Sequence, residues 1–291
     1  VFGHMIRCGD AANLIKAVEK ESIDLLVTSP PYWAKRIYNE EGEFGTERTP
    51  EEYVERMADF FKGLEPYLKR EGNIFINIGD TYFGGGSGFG GNATWHSGDG
   101  KVRKDVKKLK EKYIPDRPLQ GKIERDGKLY QDKQLLLIPA RFAIAMQDRG
   151  WILRDDIIWH KPNKIPSGVQ DRFWDTYEHV YHFVLQGDYY FDLDAVKITG
   201  KYVEKKNPGN MWSINTRGNI GTEHTASYPE ELIDPIVLCG SPKGGYVLDP
   251  FLGTGTTWVV CERFGRNCVG FEINESFLNY ARRRFYGHLI P

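Results

Sequence analysis

Two short stretches carry residue types that could do chemistry. The first is Thr28-Ser29-Pro30-Pro31-Tyr32-Trp33, directly after the apolar run 23–27. Pro30 and Pro31 donate no backbone hydrogen bond and their φ angles are locked. The segment is therefore either a stiff exit from a strand or a set of polar and aromatic groups held in one pose. The second runs from Asp249 through Pro250, Phe251 and Leu252 to Gly253-Thr254-Gly255-Thr256, between an apolar strand pattern and an apolar helix pattern. Spaced glycines in a strand–turn–helix let the backbone approach a ligand at the carboxyl edge of a parallel sheet.

The second turn lacks the parts of two common nucleotide loops. A triphosphate-binding loop needs Gly-Lys-Ser/Thr, and Gly255 is followed by Thr256-Thr257. A dinucleotide fingerprint needs a third glycine, where Trp258 stands; a nicotinamide-dependent dehydrogenase would also leave the Ser-Pro-Pro-Tyr segment unexplained. What remains is Asp249 ahead of a Gly-x-Gly turn and a second acid, Glu272, closing the next strand pattern. An acid at that distance accepts hydrogen bonds from ribose hydroxyls. Ribose without pyrophosphate points to S-adenosylmethionine (AdoMet); the competing reading is a tight strand-to-helix connection with no ligand.

The elements that would position these groups are partly readable. Runs 23–27, 73–78, 246–248 and 267–271 have the continuous apolar character of buried parallel strands. Thr49-Pro50-Glu51-Glu52 predicts a capped helix start with proline in the first turn, and Asn274 opens a helix with three arginines near its end. The pattern predicts a helix in 135–151 and a strand in 152–161. Residues 84–91 (GGGSGFGG) are flexible by composition. The run 101–112 that follows holds seven basic and two acidic residues. An α/β core needs no such segment, so 83–133 is expected to be a flexible basic insertion at a loop.

The chain has 291 residues, 40% hydrophobic and 27% charged, and a net charge of −1. It is long enough for a sizeable core, and any polyanion would have to meet a local basic face. Its four cysteines, Cys8, Cys239, Cys261 and Cys268, form no CxxC pair. That argues against a zinc site or disulfide framework and for a reducing compartment. No apolar run reaches the length of a membrane span.

With both motifs quoted, the chain resembles the amino-methyltransferases of DNA, which methylate exocyclic N4 of cytosine or N6 of adenine. The family tetrapeptide (D/N/S)PPY appears as Ser29-Pro30-Pro31-Tyr32, the AdoMet loop as Asp249 to Gly255, and the ribose acid as Glu272. Gly9-Asp10, 154–162 (RDDIIWHKP) and 224–229 (HTASYP) match flanking features. The catalytic motif precedes the cofactor motif, which is the permuted, beta order of the family; methyltransferases acting on protein glutamine place the cofactor loop first. The resemblance implies one catalytic domain over 5–291. Its fold would be a Rossmann-like α/β arrangement, a mostly parallel sheet with helices on both faces and inserted DNA-contacting segments.

The same resemblance implies roles. Ser29 Oγ and the Pro30 carbonyl would accept the two N–H bonds of a flipped base, with Pro31 stiffening the loop and Tyr32 stacking on the base. Asp10 would contact the adenine of AdoMet, although helix N-cap is an equal reading. Asp249 would lie near the methionine moiety, Ser227 or Thr225 at its carboxylate, and Phe251, Gly253, Gly255, Thr256 and Glu272 around the cofactor. Ser29 in place of Asp or Asn favours cytosine N4, with adenine N6 as the alternative and an inactive nucleic-acid-binding relative as a reading from another class.

Double-stranded DNA is the implied partner. Lys101, Arg103, Lys104, Lys107 and Lys108 would meet phosphates. Target recognition would fall in 197–223, with Trp212, Asn215 and Arg217 as base-reading candidates; Trp212 could equally be local core. A separately acting cognate restriction endonuclease and a cytoplasmic, nucleoid-associated prokaryotic setting follow, with no metal and no membrane.

Overall fold

The computed structural model describes residues 3–34, 43–83, 122–125, 128–131, 133–166, 168–200, 204–216 and 227–288. Lys101, Arg103, Lys104, Lys107, Lys108, Arg217 and Thr225 lie outside them. The strands are β1 (Met5–Cys8), β2 (Ile23–Thr28), β3 (Leu68–Ile78), β4 (Lys122–Arg125), β5 (Lys128–Gln131), β6 (Ile152–His160), β7 (Tyr177–Val184), β8 (Met211–Ser213), β9 (Tyr246–Asp249) and β10 (Asn267–Glu272). The α-helices are α1 (Ala11–Leu14), α2 (Pro50–Leu64), α3 (Ile138–Asp148), α4 (Glu230–Gly240), α5 (Thr256–Phe264) and α6 (Glu275–His288).

An eight-stranded sheet has the order β1-β10-β9-β2-β3-β7-β6-β8. From β1 to β3 all neighbours are parallel, β7 is antiparallel to both β3 and β6, and β8 runs parallel to β6. The inner parallel strands β2, β3, β9 and β10 are buried along most of their length because helices cover both faces. Alternation sorts their side chains. Leu26, Ile74, Ile76, Leu248, Val269 and Phe271 pack with α1, α2 and α3. Leu25, Val27, Phe75, Val247 and Cys268 pack with α4, α5 and α6.

The winding order across the sheet reverses between the parallel strands β2 and β9: β2 continues through α2 to β3 on one side, and β9 through α5 to β10 on the other. Open α/β sheets bind ligands in the crevice at such a switch point. Both motifs sit there, one leaving β2 and the other leaving β9. Their distance in sequence is erased by the pairing of Leu25 with Val247 and Leu26 with Leu248.

The expected cap of α2 is present. Thr49 Oγ1 accepts from Glu52 N at 3.1 Å, and Glu52 Oε2 accepts from Thr49 N at 3.2 Å. The helix α3 starts without a side-chain cap of its own. Asp80, just past β3, supplies one by accepting from Ile138 N at 3.1 Å. Strand β3 begins at Leu68, earlier than its apolar run, because Leu68 pairs with Ile23 across a register shift in β2.

Two of the segments expected to be irregular contain regular structure. The insertion holds the β4–β5 hairpin; its Tyr130 is buried, stacks on Phe83 and donates to Glu51 of α2. The 197–223 segment contributes β8 to the sheet edge, where Ile158, Trp159 and His160 pair with Met211, Trp212 and Ser213.

Candidate active site

At the catalytic corner, β2 delivers Thr28 fully buried and Ser29 half-buried at the carboxyl edge. The turn beyond is clamped from several sides. Tyr53 of α2 donates to the Pro31 carbonyl at 2.9 Å, Trp33 Nε1 donates to the Glu47 carbonyl at 3.0 Å, and Ala34 N donates to the Gly45 carbonyl at 2.9 Å. With two locked φ angles inside that clamp, the loop carries its groups in a fixed pose. The proline pair is thus a stiff exit whose polar and aromatic groups are held in one pose.

The ring of Tyr32 reaches inward. Ser29 Oγ donates to Tyr32 Oη at 3.3 Å, and Tyr32 Oη donates to Glu178 Oε2 at 2.8 Å. Glu178 lies near the start of β7, opposite Trp159 of β6. Its other oxygen pairs with Lys161, whose side chain is 9% exposed. Asn77 Nδ2, at the end of β3, donates to Glu178 Oε2 at 3.1 Å and to the His179 carbonyl at 3.1 Å. The Lys161 ammonium also lies 4.1 Å from the Trp159 ring centroid, a cation–π contact.

Burial pushes the Glu178 carboxyl upward. The Lys161 charge and the hydrogen bonds from Lys161, Tyr32 and Asn77 outweigh it, holding the group below its ordinary range. Burial, then the Glu178 charge, raise the Tyr32 phenol well above its ordinary value, so it stays a donor. Gly79 makes this packing possible: a Cβ there would lie 2.8 Å from Tyr32 Cε2 and 3.2 Å from Glu178 Cδ.

At the cofactor corner Asp249 is completely enclosed. Oδ1 accepts from Thr28 Oγ1 at 2.7 Å and Phe251 N at 3.1 Å; Oδ2 accepts from Tyr228 Oη at 2.8 Å and Thr257 Oγ1 at 2.6 Å. Asp249, expected to lie near the methionine moiety, holds its carboxylate as a latch beneath the loop, with four protein donors and no exposed surface.

The two glycines of the turn differ in purpose. At Gly255, φ is +78° and an added Cβ would lie 2.9 Å from Ala281 Cβ of α6, so glycine is required by helix packing. At Gly253, φ is +53° and a Cβ would meet only Phe251 O within reach, at 3.9 Å, so the turn is open there. Glu272 braces this open turn, accepting from Gly253 N at 2.8 Å through Oε2 and from Asn274 N at 2.9 Å through Oε1. Its burial raises the carboxyl to about 7.

Asp10 caps α1, accepting from Ala12 N at 3.0 Å and Asn13 Nδ2 at 2.9 Å. Gly9 N, one residue earlier, donates to the Glu272 carbonyl at 2.9 Å, which brings Asp10 to the same edge. The half-buried Phe251 ring packs on Phe44 and Phe60. Thr256 is buried and accepts from Arg284 at 2.8 Å; Ser227 is half-buried just before α4.

Trp212 is half-buried, packs against the core beside β6 and donates to the Gly209 carbonyl at 2.8 Å. Asn215 is exposed just beyond β8. Asn77, Lys161 and Glu178 line this candidate site without having been named as site residues from the sequence. Lys161 lies in the 154–162 segment quoted there, and the signal for Glu178 is a lone acid in the aromatic strand Tyr177–Val184.

The residues present fit S-adenosylmethionine. The turn is open at Gly253, and Glu272 beside it is a carboxyl whose oxygens retain lone pairs beyond the two backbone N–H groups. That is the complement of a ribose diol. Sheet, switch-point crevice and cradle define an AdoMet-dependent methyltransferase.

The comparisons with known proteins narrow the class. The N6_N4_Mtase family profile, described as DNA methylase, matches residues 23–283. The type II methyltransferase M.SmaI of Serratia marcescens is 37% identical over 278 residues, 95% of this chain and 88% of its own length. M.Cfr9I of Citrobacter freundii is 33% identical, covering 96% of this chain and 86% of its own. Among solved structures, the PvuII DNA methyltransferase (cytosine-N4-specific) superposes with a TM-score of 0.68 at 22% identity, over 98% of this chain and 90% of that one. A putative DNA modification methylase of Thermus thermophilus, solved with S-adenosyl-L-methionine, gives 0.61 at 20% identity, over 99% and 96%. The chain belongs to the N6/N4 DNA methylase family.

Proposed function

We propose that this DNA methyltransferase transfers a methyl group to the exocyclic N4 of a cytosine flipped out of a short, specific duplex sequence. The observation that carries this is Ser29. A neutral hydroxyl, not a carboxylate or carboxamide, directly follows β2 at the crevice, with its proton directed inward to Tyr32.

An exocyclic amine is a poor nucleophile because its lone pair is delocalised into the ring. Acceptors on both N–H bonds favour a pyramidal nitrogen with an available lone pair. Ser29 Oγ and the Pro30 carbonyl serve as those acceptors, preorganised by the locked prolines. Tyr32 supports the base with its ring while its hydroxyl is anchored. Glu272 holds the ribose of AdoMet, Asp10 the adenine, and Phe251, Gly253, Gly255, Thr256 and Ser227 shape the remaining cradle. AdoMet, when bound, supplies an electrophilic methyl group. Alignment does most of the rest.

The relatives named as type II methyltransferases support a role as the modification half of a restriction–modification pair, with a separately acting endonuclease. The setting would be cytoplasmic; among the described residues no helix is long and apolar enough to cross a membrane. Phosphate contacts are assigned to Lys101, Arg103, Lys104, Lys107 and Lys108 of the 83–133 insertion, and base reading to the 197–223 segment, including Asn215 and Arg217.

Incubation with methyl-labelled AdoMet and unmodified genomic DNA tests the reading. Label in N4-methylcytosine is the expected result. Label in N6-methyladenine moves the assignment to the other base of the family, and no label in DNA contradicts an active enzyme.

A further inference from the structure

We propose that Tyr32 and Glu178 form a proton path leading from Ser29. The path fixes Ser29 as an acceptor toward the target amine and carries the amine's excess proton away. This rests on the amino-methylation reading above.

A serine hydroxyl can donate or accept, and an amine offering N–H needs it to accept. The direction of the inner chain settles which it does. Glu178 is ionised and has only lone pairs to offer, with Lys161 and Asn77 Nδ2 already donating to it. The Tyr32 proton therefore points to Glu178, at 2.8 Å, in preference to Asn77 Oδ1 at 3.2 Å. With its proton committed, the Tyr32 oxygen accepts, and the Ser29 proton points to it at 3.3 Å. Both Ser29 lone pairs are left for substrate. That last contact is long for O–H···O, and catalytic hydrogen bonds commonly tighten only with substrate in place.

The same order of groups moves a proton. As the methyl carbon bonds to the amine nitrogen and leaves sulfur, positive charge develops on nitrogen and one proton becomes excess in the same step. The N–H bond breaks toward Ser29 Oγ, and the electron pair returns to nitrogen. The Ser29 proton passes to Tyr32 Oη, and the Tyr32 proton to Glu178 Oε2. Ser29 and Tyr32 end neutral, and Glu178 ends as a carboxylic acid beside the Lys161 ammonium. That positive neighbour makes the proton easy to lose to water once product leaves, which resets the chain. Lys161 is thus a positioning residue that keeps Glu178 ready to accept again.

Single-turnover methyl transfer to unmodified genomic DNA tests the path with Tyr32→Phe, which keeps the ring, and Glu178→Gln. Each is expected to slow transfer by about a hundredfold, the scale of a lost general base, with the AdoMet Kd within about twofold of wild type. With AdoMet saturating at every pH, the wild-type rate should fall at acid pH as Glu178 is protonated, and Tyr32→Phe should remove that dependence. In ligand-free protein carrying carbon-labelled tyrosine, Glu178→Gln should move the Tyr32 ring-carbon resonance; an unmoved resonance overturns the contact.

A Tyr32→Phe rate within about threefold of wild type, or a slow rate with the wild-type pH profile, overturns the path. If Ser29→Ala is slow in that case, only the path fails; if Ser29→Ala also runs at the wild-type rate, the amino-methylation reading fails with it. Should Glu178→Gln not fold, Tyr32→Phe decides alone.

Discussion

Thr28 Oγ1 donates a 2.7 Å hydrogen bond to Asp249 Oδ1 with both residues fully buried. It joins the last residue of the strand that carries the Ser-Pro-Pro-Tyr loop to the last residue of the strand that carries the glycine turn. The Ser-Pro-Pro-Tyr loop and the glycine turn are thereby set against each other by a side-chain contact as well as by the sheet.

Thr28→Val removes that donor while keeping the shape. A buried carboxylate that loses one partner should cost about 1–3 kcal/mol, or roughly 2–4 °C of Tm for each kcal/mol. Thermal unfolding measures it. An unchanged Tm would mean that the latch contributes nothing.

Gly255→Ala forces both a positive φ and a clash with Ala281, so it should destabilise by about 1–3 kcal/mol. Gly253→Ala faces open space and carries only the positive-φ penalty, about 1 kcal/mol. Denaturant unfolding of the two variants should rank them in that order; the reverse ranking would contradict the packing role of Gly255.

With Glu272 at the ribose, as proposed, AdoMet binding is expected to depend on pH. Its folded carboxyl is raised to about 7 from 4.5. The folded protein therefore holds a proton that the unfolded chain has lost in that window. The stability from this group is full below pH 4.5 and is lost as pH rises toward about 7. Ribose hydroxyls donate to the ionised form, so AdoMet should bind more weakly as pH falls below about 7, by up to about tenfold per pH unit. Calorimetry across that range should show the slope, and Glu272→Gln should flatten it. A pH-independent Kd in wild type would remove Glu272 from the ribose contact.

The parts of this site legible in the sequence are those fixed by local pattern. Apolar runs announced β2, β9 and β10, Thr49 and Glu52 announced the start of α2, and Gly253 and Gly255 announced the turn. Glu178 and Lys161 were not legible because nothing local pairs them. They meet only after β6 and β7 align with Trp159 opposite Glu178, and a one-residue slip would turn Glu178 to the other face. The different duties of Gly253 and Gly255 were hidden for the same reason, since Ala281 approaches from another helix.

Ser29→Ala should leave the AdoMet Kd within about twofold while lowering single-turnover methyl transfer by about 10²–10³-fold, the scale for removing one preorganised polar group. Equal loss of binding and transfer would make Ser29 a structural residue.

The central claim is that Ser29 and its loop present a cytosine amine for methylation. The most direct measurement is nucleoside mass spectrometry of DNA treated with the protein and deuterium-labelled AdoMet, run beside Ser29→Ala. The account predicts labelled N4-methylcytosine from wild type and a large loss of it in the variant. Labelled N6-methyladenine as the sole product, or undiminished N4-methylcytosine from the variant, would contradict it.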